Sequence, residues 1–364
     1  MRKINNISSP KIKIGIVGYG IRGQKMARLS KINFPDYRIT AVCDKSEKVL
    51  KKAKQDFSEI QTYHDFDKML IDSDINTLFV ETPAPYHAEF SIKALRNNIH
   101  VLSDVPAVND ISEARKLWQA NLESSAIYML QSTTNMFGYI KEVINLQKGQ
   151  KLGRPYYIES EYIHDLRDLF GSTPWRKNYE NIKYCTHSLG PSIKILQEPL
   201  VQVSCFDTGS HVNKQDGQHD AMVAIFRTNS NRIVKLAVSF INHCPAHGQR
   251  YRFYFDNGYF ERTADYEGKY TGTSYYYSSS HHSDKELHNM NIGEGLPKNK
   301  NLENIGNHGG ANYELLKQFY KAIEEGTDSP INVKSALLMS IPGIFAAKSA
   351  RKDGKNIKIK YPWN

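Results

Sequence analysis

The 364-residue sequence predicts two units of different class: an α/β unit on an open parallel sheet over residues 1–130, and an α+β unit with an open, mainly antiparallel sheet over residues 131–364. Three observations predict this division. The chain is too long for one ordinary domain. Up to residue 130 apolar strands alternate with helical stretches, the mark of a parallel sheet. From residue 154 onward strands follow strands with period-2 alternation.

In the first unit, Ile12 to Val17 form an apolar strand that runs into Gly18-Tyr19-Gly20-Ile21-Arg22-Gly23, followed by a helical stretch over 24–31. "YRITAVCD" predicts a second strand over 37–43, ending on Asp44, which lies 21 residues beyond Gly23. The run 45–56 mixes lysines with acids and apolar residues as a solvated helix face does. "FDKMLIDSD" reads as a helix, "INTLFVET" as a strand over 75–82, "YHAEFSIKALRNN" as a helix, "IHVLSD" as a strand, and "AIYMLQST" as the strand that closes the unit. In the second unit "RPYYIESEYI" (154–163), "VQVSCFDTG", "DAMVAIFRT", "RIVKLAVSFI" and "RYRFYFDNGYFE" read as strands. The segment 264–307, rich in Tyr, Ser, His, Asn and Gly, predicts a long excursion over the surface. Helices over 310–325 and 333–351 finish the chain, the last expected to pack back on the first unit.

Composition excludes several classes of function. The net charge is +10, from 48 Lys and Arg against 38 Asp and Glu. The lysines are dispersed, however, rather than gathered into a patch, so a nucleic-acid partner is not expected. No stretch approaches the roughly 18 apolar residues of a membrane span, and the N-terminus lacks the apolar core of a secretory signal. Both point to a cytoplasmic protein. Cys43, Cys185, Cys205 and Cys244 lie far apart with no C-x-x-C pair, so they read as free thiols rather than a zinc knot or disulfide framework. His281, His282 and His288 lack metal-ligand spacing, and no metal is expected.

Strand, glycine turn, helix, strand and acid together form the context of a dinucleotide site. Gly18 permits the tight turn, Gly20 lets a pyrophosphate approach the backbone, and Gly23 allows close packing, with Tyr19, Ile21 and Arg22 completing the turn. The pyrophosphate is expected at the helix N-terminus, where amides and dipole favour an anion. Asp44 can accept hydrogen bonds from ribose hydroxyls and would repel a 2′-phosphate, which favours NAD over NADP, although Lys45 softens the repulsion. Thr82 to His87 and Ser103 to Pro106 fall at the same carboxyl edge.

These motifs, with T-P-x-x-x-H at 82–87, acid-x-Pro at 104–106, Trp175-Arg176 and His187 opening a helix, resemble the Gfo/Idh/MocA oxidoreductases over nearly the whole chain. The resemblance implies a Rossmann domain holding NAD(P), with Thr82, Pro83, His87 and Asp104 lining the nicotinamide half. It also implies a sheet that walls a carbohydrate substrate and joins copies into a homo-oligomer. Two departures matter. The family's Glu-Lys-Pro is Asp104-Val105-Pro106 here, and two carboxylates expected around the catalytic His are Lys183 and Gly190. The acid/base groups must then come from the second unit. His187, Tyr184 and His164 are the candidates, with Lys183 as a replacement for the lost charge; the plainer reading of His187 is a surface or helix-capping residue.

"EYIHDLRDL" (161–169) places Tyr162 and His164 on one face of a strand end and Asp165 on the other. With Arg167 these residues suit a polyhydroxylated substrate equally as well as an exposed loop of salt bridges. Trp175, Arg176 and, in "NHGGANYE", His308 complete the candidate substrate residues. The lysine-free pattern also resembles the branch containing NAD-dependent glycoside hydrolases. These oxidise a sugar hydroxyl, eliminate the aglycone, add water and reduce again, so that NAD is recycled. Three functions therefore stand: an NAD-dependent sugar oxidoreductase, an NAD-recycling glycosidase, and a silent NAD-binding sensor.

Overall fold

The computed structural model describes residues 12–212, 219–242, 249–262, 273–278, 288–291 and 310–363. The first sheet is built from β1 (Lys13–Val17), β2 (Arg38–Cys43), β3 (Gln61–Tyr63), β4 (Thr77–Val80), β5 (His100–Ser103) and β6 (Tyr128–Leu130). Its order is β3-β2-β1-β4-β5-β6, with every neighbouring pair parallel. β4 and β6 are buried throughout, which is why they read as continuous apolar runs rather than alternating ones. Between the strands run α1 (Ile21–Asn33), α2 (Glu47–Asp56), α3 (Phe66–Asp72), α4 (His87–Arg96) and α5 (Ile111–Glu123). Ser46, Asp65 and Asp110 cap α2, α3 and α5 by accepting the N–H of Val49, Lys68 and Glu113.

Three differences from the sequence reading have physical causes. α1 starts at Ile21 rather than residue 24, because the glycine turn itself supplies its first turn. β3 is only three residues long, too short to show a period. α5 buries the small residues Ala114 and Ala120 with Leu117, a weak apolar stripe that the pattern search passes over.

The second sheet holds β7 (Pro155–Ile163), β8 (Leu200–Asp207), β9 (Met222–Thr228), β10 (Ile233–Ser239), β11 (Gln249–Phe255), β12 (Gly258–Arg262), β13 (Thr273–Ser278), β14 (His288–Asn291) and β15 (Ile357–Lys358). They lie in the order β14-β13-β12-β11-β7-β10-β9-β8-β15. All pairs are antiparallel except β7 with β10. β13 and β14 fall inside 264–307 and extend the sheet, so that segment is not solely a surface excursion. Its run of Tyr and Ser carries no apolar–polar alternation in the sequence.

Among the described residues four further helices are α6 (Gly138–Lys148), α7 (Thr186–Leu196), α8 (Ala311–Glu325) and α9 (Val333–Ala350). α7 lies on β7, and α9 lies on β8 while also packing against α5 and β6, so the C-terminal helix bridges the two sheets. α8 packs on α1, where Phe34, Tyr37, Tyr313 and Tyr320 form an aromatic contact. Among the described residues no helix is long and apolar enough to cross a membrane.

Candidate active site

The carboxyl ends of the parallel strands bring Gly18, Asp44, Glu81, Thr82, Asp104 and Gln131 to one edge, where open α/β sheets bind ligands. The glycine turn shows a different demand at each position. Gly18 has φ +86°, and an added Cβ would lie 2.7 Å from the Glu81 carbonyl oxygen. At Gly23 a Cβ would lie 2.2 Å from the Gly18 carbonyl oxygen. Both are glycines for the protein's own packing. At Gly20 a Cβ would meet nothing within 4 Å, so its missing side chain leaves open space at the N-terminus of α1. That cradle fits a pyrophosphate.

Asp44 is half-buried at the end of β2, and its two oxygens accept the backbone N–H of Tyr19 and of Ser46, each at 2.9 Å. The turn thus holds the carboxylate in place. Lys45 swings its ammonium over the Tyr86 ring, 5.5 Å from the centroid. Ile21 is exposed beside the turn. Tyr19 differs from the expectation: its ring is 1% exposed and its hydroxyl donates to Asp56 at 3.0 Å, so only its backbone faces the turn. His87 differs likewise. It is 1% exposed, with Nδ1 against the Pro106 carbonyl at 2.9 Å and Nε2 against the Thr82 carbonyl at 2.7 Å. It therefore clamps two strand ends together.

Pro83 is exposed and Thr82 half-buried at the end of β4. Val105 lies in the hydrophobic core. Asp104 is half-buried just past the end of β5.

The second unit presents an aromatic cluster to this edge. Tyr162 stacks on His187 with centroids 5.3 Å apart and 19° between planes. Tyr184 meets both edge-on, at 5.5 Å from Tyr162 and 5.2 Å from His187. The cluster is positioned by its elements: Tyr162 stands on the buried face of β7, His187 sits in the first turn of α7, and Tyr251 of β11 donates its hydroxyl to the His187 carbonyl at 2.5 Å. Arg176 lies over Trp175 at 4.2 Å and over Tyr184 at 5.6 Å. Burial pushes the Tyr184 phenol above its ordinary range, Arg176 opposes this, and Asp104 adds to it. Burial likewise raises Tyr162, with Tyr184 pushing the same way. Both phenols therefore keep their protons at neutral pH.

The remaining predicted residues divide. His164 is exposed, with Nδ1 3.4 Å from the Tyr162 hydroxyl, at the margin of the cluster. Asp165 and Arg167 form an ion pair with each other in an exposed loop. Lys183 is ion-paired with Glu180 at 2.7 Å, and Glu180 also takes Arg351 from the end of α9. That pairing draws the Lys183 ammonium onto Glu180. His308, His281 and His282 lie outside the described residues, as does Cys244.

Sequence reasoning passed over Glu81, Gln131 and Asn312. The Arg22 guanidinium donates to Asn312 at 3.0 Å and to Gln131 at 2.8 Å, and its Nε lies 3.7 Å from Glu81. A glutamate inside the apolar run "LFVET" was the one available signal.

A dinucleotide turn facing an aromatic, proton-bearing wall on a second sheet defines a two-domain, nucleotide-dependent protein. Residues 12–132 match the family described as oxidoreductase family, NAD-binding Rossmann fold, Gfo/Idh/MocA. The first unit is thus similar to the NAD-binding Rossmann domain of that family, and NAD is the cofactor that the similarity supports. A glycosyl hydrolase family 109 protein of Saccharopolyspora erythraea is 24% identical, over 94% of this chain and 81% of its own. The WlbA dehydrogenase of Bordetella pertussis, in complex with NADH and UDP-GlcNAcA, superposes with a TM-score of 0.81 at 15% identity, covering 97% of this chain and 99% of that one. Myo-inositol 2-dehydrogenase of Lactobacillus plantarum gives 0.76 at 15% identity over 96% and 99%.

Proposed function

We propose that this protein is an NAD-dependent oxidoreductase acting on a hydroxyl or carbonyl of a sugar, polyol or sugar derivative. The observation that carries the reading is the cluster of His187, Tyr162 and Tyr184 set against Asp104 and the glycine turn. NAD, when bound, accepts a hydride from the carbinol carbon. The chain's part is then proton management and orientation. His187 takes the hydroxyl proton, and its stacking on Tyr162 fixes the plane from which it does so. Tyr184, held neutral by burial, donates a hydrogen bond to the developing oxyanion, with the Arg176 charge beside it. Trp175 and Arg176 offer an apolar plate and a donor fork for hydroxyls, and the exposed Asp165–Arg167 pair borders the entrance.

A second reading, hydrolysis of a glycoside with NAD retained and recycled, is favoured by the family 109 relative, which matches over nearly the whole chain. Val105, buried where the resemblance expects a lysine, also supports it. In that cycle His187 serves as base for the ring C–H proton, and Tyr184 or His164 as acid for the leaving group.

Freshly purified protein tests both readings. It is denatured to look for released NAD(H), then assayed with free sugars and with aryl glycosides. NADH formation with a free sugar supports the first reading; aryl release without net NADH, from protein that carries its cofactor, supports the second. Binding of NAD with neither activity overturns both in favour of a sensor.

Residues 1–130 serve as the cofactor unit and residues 131–364 as the substrate unit in this reading. The open face of the second sheet exposes Tyr156, Phe206, Val223 and Ile225, a surface suited to a second copy of the chain. Cys43, Cys185 and Cys205 are buried free thiols, which supports residence in the reducing cytoplasm.

A further inference from the structure

Glu81 is the most deeply buried carboxyl at the strand edge, with a fully covered side chain, and the chemistry above does not use it. Its Oε1 accepts the Gln131 amide at 2.5 Å, while its Oε2 is buried without a hydrogen-bond partner and lies 3.7 Å from Arg22 Nε. Gln131 in turn accepts from Arg22, so the three side chains close a ring. Arg22 belongs to the glycine turn and to the first turn of α1, the end of the helix that faces an anion. The backbone of Glu81 also supports the turn, since a Cβ at Gly18 would strike its carbonyl. Among the described residues the charged groups bearing on this ring are Arg22 from α1 and Asp104 from the end of β5. Tyr184 stands beyond Asp104, while Gln131 and Asn312 are neutral.

We propose that Glu81 is a positioning residue for the cofactor: its carboxyl takes up a proton when NAD binds, leaving the Arg22 charge uncompensated beneath the turn that receives the pyrophosphate. With Glu81 ionised, Arg22 is neutralised from below and the turn offers the anion only amides and dipole. With Glu81 protonated, the full guanidinium charge faces the same space. Burial brings this exchange into an accessible range: it raises the carboxyl to about 8, Arg22 opposes the shift, Asp104 adds to it and Gln131 opposes it, so that near pH 8 the unliganded carboxyl is part ionised and has a proton still to take up. Because NAD and the proton favour each other, affinity must fall as pH rises through that range.

The inference rests on the cofactor seat and not on the proton chemistry assigned to His187, and its readout is binding alone. The experiment titrates NAD, and separately ADP-ribose, against the whole protein between about pH 6.5 and 9.5. Expected is a rise in Kd of about three- to tenfold, the equivalent of a half to one unit of pKa change on binding, for both ligands. ADP-ribose is included because it carries the pyrophosphate without the nicotinamide. Glu81→Gln should give a Kd that changes less than about twofold over the same range. Calorimetry on the unaltered protein at pH 8, in two buffers of different ionisation enthalpy, should show net proton uptake, and this holds even where the variant fails to fold. A flat Kd without proton uptake, an undiminished slope in Glu81→Gln, or an absence of binding at every pH would each overturn the proposal.

Discussion

Replacing Gly20 and Gly23 separately by Ala should divide cofactor binding from folding, because the same methyl group meets opposite surroundings at the two positions. At Gly20 the backbone has φ −71° and ψ −162°, open to any residue, and the added Cβ has nothing within 4 Å. Stability of Gly20→Ala should stay within about 1 kcal/mol of the parent, the scale of an N-cap preference. The methyl then occupies the space proposed for the pyrophosphate. Overpacking of that kind costs about 1–3 kcal/mol, which is about 5- to 150-fold in Kd. At Gly23 the Cβ would stand 2.2 Å from the Gly18 carbonyl oxygen, and backbone rather than a movable side chain must yield. Gly18 cannot retreat easily, since it abuts the Glu81 carbonyl. Gly23→Ala should therefore lose about 3 kcal/mol of stability, seen as a drop in Tm of about 4 °C. Thermal unfolding and a fluorescence titration with NAD check both variants. A Gly20→Ala protein that binds NAD like the parent, or a Gly23→Ala protein that melts like it, would refute the division.

His187→Asn should keep NAD affinity and lower turnover by about 10² to 10⁴, and its loss should be strongly non-additive with that of Tyr184→Phe; a parallel loss of NAD binding and folding would make His187 structural. Asp44→Ala should weaken NAD binding by about 1–3 kcal/mol in titration, because it removes the ribose acceptor and frees the Tyr19 and Ser46 amides. Val105→Lys should not yield a faster dehydrogenase: the side chain points into the hydrophobic core, and burying an ammonium there costs stability. A rise in sugar-dependent NADH formation in that variant, with an unchanged Tm, would count against the assigned role of the site.

The cofactor turn was legible because its information is local: Gly18, Gly20, Gly23 and Asp44 lie within one strand–helix–strand passage whose spacing follows from chain geometry. The two classes of sheet were equally legible, since a strand covered on both faces and one covered on a single face leave different hydrophobic periods. Only the tertiary structure could bring Tyr162, Tyr184 and His187 together, from a strand, a turn and a helix separated by a polar loop. It alone paired Lys183 with Glu180, and turned His87 and Tyr19 inward onto Pro106 and Asp56. The network of Arg22, Glu81, Gln131 and Asn312 spans 290 residues between its most distant hydrogen-bonded members. No periodicity reports such a contact. Local pattern records which face of an element is buried, whereas the partner a buried polar group finds depends on which strands the fold sets side by side.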